Sequence, residues 1–128
     1  MNNIENKFLK ILIVDDSPTS CGIIKLCLDS SDDPYKVYIA NDRKEALKIS
    51  NEIKPDICLM DYNFPHDNGI DISKAIINLG IETKFVLITA DLQEQIVEDA
   101  ENLGFVAIME KPIEKNTLLK MITELELC

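Results

Sequence analysis

Ile11-Leu12-Ile13-Val14-Asp15-Asp16 and Ile57-Cys58-Leu59-Met60-Asp61 are the two stretches that decide the fold of this chain. Each is a run of apolar residues that ends abruptly in carboxylate. Four consecutive apolar positions leave no polar face, which marks a strand covered on both sides rather than the alternating strand of a half-solvated antiparallel sheet. If the two strands are parallel and adjacent, Asp15, Asp16 and Asp61 gather at the carboxyl edge of one sheet, where open α/β folds take their ligands. Carboxylates held that close demand a cation or protons.

Working outward, apolar runs of strand length recur over residues 8–14, 36–40, 57–60, 85–89 and 106–109, which makes five strands. Helical periodicity fills the intervals, as in Ile72-Ala75-Ile76-Leu79 and Leu92-Ile96-Val97-Ala100-Leu103, and a fifth helix with Leu118, Ile122 and Leu125 on one stripe follows Pro112. Capping chemistry agrees with these boundaries. Asp16 or Ser17 suits the start of the first helix with Pro18 in its opening turn, Asn68-Gly69 makes a turn before the third, and Gly80 and Gly104 close the third and fourth. Strict strand–helix alternation predicts an α/β fold: a doubly wound, five-stranded parallel sheet of order 2-1-3-4-5 with five helices. In that order the first and third strands are neighbours, so the three carboxylates meet.

The 128 residues fit a single domain, expected to span residues 1–128, with a sizeable buried core. Hydrophobic content of 46% beside 28% charged residues is that of a globular chain, and four glycines with five prolines leave no flexible linker. A net charge of −10 repels nucleic acid and anionic lipid, so direct binding to either is not expected. Cys21, Cys27, Cys58 and Cys128 form no C-x-x-C pair and are expected as reduced thiols, which suits the cytoplasm. No stretch approaches the ~20 apolar residues of a membrane span, and Met1-Asn2-Asn3-Ile4-Glu5 lacks the basic and apolar regions of a signal peptide.

Paired acids suit Mg²⁺, a hard ion that takes ~6 oxygen ligands and commonly shares its shell with phosphate. Asp15 and Asp16 are the candidate metal ligands, directly or through water, and Asp61 is the candidate nucleophile, attacking phosphorus to give an aspartyl-phosphate. Two further strand ends complete the set. Thr89 closes the fourth strand in Leu87-Ile88-Thr89-Ala90, and Lys111 follows the fifth just before Pro112. Lys111 is expected to pair with Asp61 at rest and with a phosphoryl oxygen after transfer, while Thr89 hydrogen-bonds another oxygen.

The blocks ILIVDDS (11–17), CLMDYNFP (58–65), VLITA (86–90) and EKP (110–112) resemble the signature blocks of response-regulator receiver domains of two-component signalling, and the resemblance covers essentially the whole chain. It implies that Asp61 accepts phosphate from a histidine kinase or histidine phosphotransfer protein, that Mg²⁺ is bound by Asp15, Asp16, Asp61 and the backbone carbonyl of Asn63, and that Thr89 and Lys111 sense the phosphoryl group. It also implies that Asn63 and Asp91 influence how fast the aspartyl-phosphate hydrolyses. Such a module is a signalling receiver rather than an enzyme with an external substrate. Its output face is the fourth helix, fifth strand and fifth helix, acting on a downstream protein or a second copy, and Pro18, Ser20, Cys21 and Ile24 are candidates for partner choice.

The chain departs from the family at two places. Ile108, three residues before Lys111, stands where many receivers carry a Tyr or Phe that swings inward on activation, so signal transmission is expected to differ while the chemistry survives. Phe105 is the nearest aromatic and is expected in the core. After Asp61, His66-Asp67-Asn68 is polar where an apolar residue often packs, which predicts a more mobile loop; His66 is given no role. Three competing readings remain at this point: a receiver-like interaction domain without phosphorylation, a metal-dependent phosphohydrolase working through an aspartyl intermediate, and a flavodoxin-like cofactor binder. The phosphohydrolase lacks a long insertion to form a cap, and the cofactor binder would need a first loop less acidic than Asp15-Asp16-Ser17-Pro18.

Overall fold

A computed structural model of the chain describes residues 8–127. The elements run β1 (Leu9–Val14), α1 (Pro18–Asp29), β2 (Tyr35–Ala40), α2 (Arg43–Ile53), β3 (Ile57–Met60), β4 (Asn63–Phe64), β5 (Asp67–Asn68), α3 (Gly69–Asn78), β6 (Lys84–Thr89), α4 (Glu94–Leu103), β7 (Ala107–Glu110) and α5 (Lys115–Glu126). The main sheet has five parallel strands in the order β2-β1-β3-β6-β7, which is the expected 2-1-3-4-5 once the short β4–β5 hairpin is set aside.

Side chains along the central strands alternate between two apolar layers, which is why the runs read as continuously hydrophobic. Leu12, Val14, Cys58, Met60, Phe85 and Leu87 face the layer closed by α2, α3 and α4. Ile11, Ile13, Ile57, Leu59, Val86 and Ile88 face the layer closed by α1 and α5. Each fully buried Leu or Ile side chain stabilises the fold by about 1.5–3 kcal/mol relative to exposure. The register also fixes the functional edge. Val14 lies opposite both Ala40 and Met60, so Asp15 and Asp61 leave the sheet at one level. Their amides continue the ladder, Asp15 N donating to Ala40 O and Asp61 N to Val14 O, each at 3.0 Å.

Several boundaries differ from the sequence expectation. Phe8 is 42% exposed and precedes β1. Helix α4 starts at Glu94 with Gln93 as a cap whose side chain makes no capping bond, so Leu92 lies outside the helix. Ser17, rather than Asp16, caps α1 by accepting from Ser20 N, with Pro18 in the first turn. The segment after Asp61 is not a bare turn. It folds into an antiparallel hairpin pairing Asn63 with Asn68 and Phe64 with Asp67, around His66 at φ 61°.

Two of the four partner-choice residues expected on α1 are corrected as well. Cys21 and Ile24 are buried with Leu28 on the stripe that packs beneath the helix, so they are closed to a partner. Pro18 is exposed and Ser20 half-buried, so these two stay open to a partner, and the helix also presents Ile23, 49% exposed, and Leu26, 72% exposed. Among the described residues Cys21, Cys27 and Cys58 are free thiols, and no helix is long and apolar enough to cross a membrane. Cys128 and the segment over residues 1–5 lie outside the described residues.

Candidate functional site

The β1–α1 and β3–β4 connections bring one carboxylate oxygen each from Asp15, Asp16 and Asp61 to within 4.8 Å of one another. Asp15 and Asp61 are buried, and Asp16 is exposed at the rim. From the end of β7, Lys111 reaches between the two buried acids. Its Nζ donates to Asp15 Oδ2 at 2.8 Å and to Asp61 Oδ2 at 3.2 Å. The expected resting contact with Asp61 is present, and Asp15 takes the shorter bond. The second oxygen of each acid is held by backbone: Ser17 N donates to Asp15 Oδ1 at 2.9 Å, and Tyr62 N to Asp61 Oδ1 at 2.7 Å.

Burial, and then the charge of Asp15, push the Asp61 carboxyl above the usual carboxylate range, while Lys111 and the Tyr62 amide act against that rise. Burial by itself would lower the Lys111 ammonium, but the hydrogen bonds and charges of Asp15 and Asp61 outweigh it and hold the amine above its ordinary value. Lys111 is therefore cationic at neutral pH and serves as an internal counter-ion. When ionised, the three carboxylates against one ammonium leave two negative charges uncompensated. An all-oxygen donor set with that deficit fits a hard dication such as Mg²⁺. Asp15, Asp16 and Asp61 are the side chains placed to hold it.

Thr89, Asp91 and Asn63 lie at or just past the carboxyl ends of β6 and β3. Thr89 is fully buried, and its hydroxyl oxygen accepts from Asp91 N at 3.3 Å. Asp91 is exposed and accepts from Gln93 Nε2 at 3.0 Å. Lys111 N donates to Thr89 O at 2.9 Å, which ties the ends of β6 and β7, and the Lys111–Pro112 peptide bond is cis. Asn63 is exposed in β4, two residues past Asp61. Ile108 is half-buried and packs on the α2–α3–α4 layer. Phe105 stacks on Phe85 with ring centroids 5.3 Å apart, so the nearest aromatic belongs to the core as expected.

The response regulator receiver domain model matches residues 11–123. The chain belongs to that family. Among its relatives, a protein-glutamate methylesterase/protein-glutamine glutaminase of Thermotoga maritima is 31% identical over 109 residues, covering 84% of this chain and 31% of the relative. The receiver chain thus spans about a third of the length of the curated relatives of that kind it matches. Chemotaxis protein CheY4 of Vibrio cholerae superposes with a TM-score of 0.85 at 25% identity, covering 93% of this chain and 99% of that one. A CheY-like response regulator receiver domain protein of Methanospirillum hungatei gives a TM-score of 0.83 at 29% identity, covering 94% and 95% of the two chains. The acidic pocket of Asp15, Asp16 and Asp61 is consistent with the phosphoacceptor site of a receiver, and an acidic triad of this type is typical of receiver sites that bind Mg²⁺.

Two features of this receiver's site escaped the sequence reading. A Cβ at Gly69 would lie 2.0 Å from the carbonyl oxygen of Asp61 and 2.8 Å from Met60 Cγ, so only glycine lets α3 start this close to Asp61. The turn reading of Asn68-Gly69 pointed to the right residue for a different reason. The second feature is the ion pair of Arg43, at the start of α2, with Asp67 in β5, which are 24 residues apart and carry no local signal.

Proposed function

We propose that this chain is a phosphorylation-controlled receiver in which Asp61 accepts a phosphoryl group from a phosphohistidine of a sensor histidine kinase or histidine phosphotransfer protein. The observation that carries the reading is the contact of Lys111 with both Asp15 and Asp61 inside a cluster of three carboxylates. Asp15, Asp16, Asp61 and the backbone carbonyl of Asn63 are the proposed Mg²⁺ ligands. The metal, when bound, neutralises charge on the transferring oxygens. An Asp61 carboxylate oxygen forms the new P–O bond as the P–N bond to the donor imidazole breaks, and the imidazole leaves with that electron pair. Lys111 then turns from the carboxylates to a phosphoryl oxygen, and the Thr89 hydroxyl leaves the Asp91 amide to donate to another.

With Ile108 in place of an aromatic residue, the change is read out through the Thr89–Asp91 turn into α4. Leu92 and Val106, 38% and 47% exposed, flank the face formed by α4, β7 and α5, where a downstream protein or a second copy binds. Asn63 and Asp91 flank the phosphoryl position and set its lifetime. The module acts in the cytoplasm, as a signalling receiver that promotes only its own phosphorylation and dephosphorylation.

Intact mass after incubation with acetyl phosphate and Mg²⁺ tests the reading. A single phosphoryl adduct is expected, absent in Asp61→Asn and after chelation of the metal. A chain that takes no adduct under any condition and binds no Mg²⁺ is instead a receiver-like interaction domain. Ile108 is the observation that favours this second reading.

A further inference from the structure

The segment that leads into α2, from Asn41 to Arg43, touches both the loop after β1 and the hairpin that follows Asp61. On one side, Asn41 Nδ2 donates to the backbone oxygen of Asp15 at 3.1 Å. On the other, Arg43 grips Asp67 with a two-pronged fork, Nε donating to Oδ2 at 2.9 Å and Nη2 to Oδ1 at 2.6 Å. Asp67 is paired with Phe64 across the hairpin that begins two residues after Asp61, and its Oδ1 also accepts from Asn68 N at 2.9 Å. Between these two grips the segment is itself locked. Asp42 caps α2 by accepting from Glu45 N at 2.9 Å, and Glu45 Oε1 accepts from Asn41 N at 2.7 Å. Arg43 and Asp67 hold each other in their charged forms: the hydrogen bond from Arg43 keeps the Asp67 carboxyl below the usual carboxylate range.

We propose that Asn41 and Arg43 are positioning residues for the metal-dependent reaction: the segment leading into α2 braces the Asp15–Asp16 loop against the hairpin after Asp61 and so sets the spacing of the carboxylates. The inference rests on the phosphoacceptor reading. Mg²⁺ accepts only near-ideal octahedral geometry at roughly 2.0–2.1 Å, so its affinity is sensitive to small changes in the distance between two loops. Groups that orient metal ligands typically contribute about 10–100-fold in metal affinity. Asp67 also acquires a function here. The polar stretch after Asp61 is the anchor point of the brace rather than a loose loop.

Arg43 allows a test whose sign separates positioning from simple electrostatics. Removing a cation near an acidic site strengthens Mg²⁺ binding if charge is all that matters. Removing a brace weakens it. Calorimetric titration of the full chain with Mg²⁺ is expected to show about 10-fold weaker binding in Arg43→Gln, at the lower end of the range for ligand-orienting groups. Asp67→Asn, which preserves side-chain volume, is the second variant and is expected to weaken binding similarly. The swapped pair Arg43→Asp with Asp67→Arg is expected to recover most of the loss. Phosphorylation by acetyl phosphate in Arg43→Gln should fall more at limiting than at saturating Mg²⁺. Equal or tighter Mg²⁺ binding in Arg43→Gln, or a swapped pair as weak as the single variants, overturns the brace while leaving the native chain's phosphorylation intact. A native chain that neither binds Mg²⁺ nor takes a phosphoryl group overturns the brace and the proposed function together.

Discussion

At the scale of single residues, Lys111 is the group on which the resting site depends. Without it, Asp15 and Asp61 face each other across a buried gap with no counter-ion. Removing one partner of a fully buried ion pair costs about 3–5 kcal/mol; Lys111 retains 18% side-chain exposure, so Lys111→Met is expected to lose about 2 kcal/mol in metal-free urea unfolding. Mg²⁺ should return part of that loss by supplying the missing positive charge. Asp61→Asn has the opposite sign. A carboxyl whose folded pKa is raised binds protons more tightly folded than unfolded, so stability falls as pH rises through the raised value and ionised Asp61 opposes folding at neutral pH. The metal-free Asp61→Asn protein should therefore melt above the native chain near pH 7, and a lower melting temperature would contradict this account of the site. These carboxylates were legible in the sequence because each sits at the end of an apolar run. Lys111's shorter bond to Asp15 was not, because it depends on where the end of β7 lies relative to β1, with β3 and β6 between them.

At the scale of elements, caps and close approaches decide how the loops enter the site. Asn68 caps α3 by accepting from Asp71 N at 2.9 Å, and its own amide bonds Asp67. Asn68→Ala is expected to cost about 1 kcal/mol, the usual worth of an N-cap, read as a shift in the urea midpoint at constant slope. Gly69→Ala should cost about 2–3 kcal/mol, toward the upper end of overpacking, because the new methyl meets backbone that cannot turn away. It should also slow phosphorylation, since the atom displaced is the carbonyl oxygen of Asp61 itself. The helical stripes of α3 and α5 were readable from periodicity, and Ile72, Ile76, Leu118, Ile122 and Leu125 are buried as expected, whereas Leu79 is 51% exposed and caps the end of α3 instead of continuing its stripe. The outward face of α1 was not readable. Nearly every position from Cys21 to Leu28 is apolar or small, so the pattern alone did not show that Ile23 and Leu26 point outward while Cys21 and Ile24 pack inward. The β4–β5 hairpin left no signal either, because two-residue strands are too short for any alternation to register.

At the scale of the whole molecule, Mg²⁺ held as proposed by the three carboxylates would couple metal binding to folding. At a hundredfold excess over Kd, Mg²⁺ should add about 2.7 kcal/mol to stability by mass action, provided that the unfolded chain does not bind it. Because the metal needs ionised carboxylates, protons compete as pH falls toward the raised Asp61 value. The melting temperature difference with and without Mg²⁺ is therefore expected to be largest near neutrality and to shrink on acidification, between about pH 8 and pH 5. A difference independent of pH would mean that the metal acts elsewhere on the acidic surface.

The sequence by itself determined the strand–helix alternation and with it a parallel sheet, because apolar runs and helical stripes are local patterns, and right-handed crossovers left few strand orders, of which 2-1-3-4-5 is the one found. It also determined which acids stand at strand ends. What the tertiary structure alone decided is what those acids touch: the shared grip of Lys111 on Asp15 and Asp61, the glycine pressed against the Asp61 carbonyl, and the Arg43–Asp67 fork that ties α2 to the hairpin. Each joins residues from separate parts of the fold, across which neither periodicity nor capping acts. Their distances are set by strand order, register and loop path together, and no local pattern encodes those.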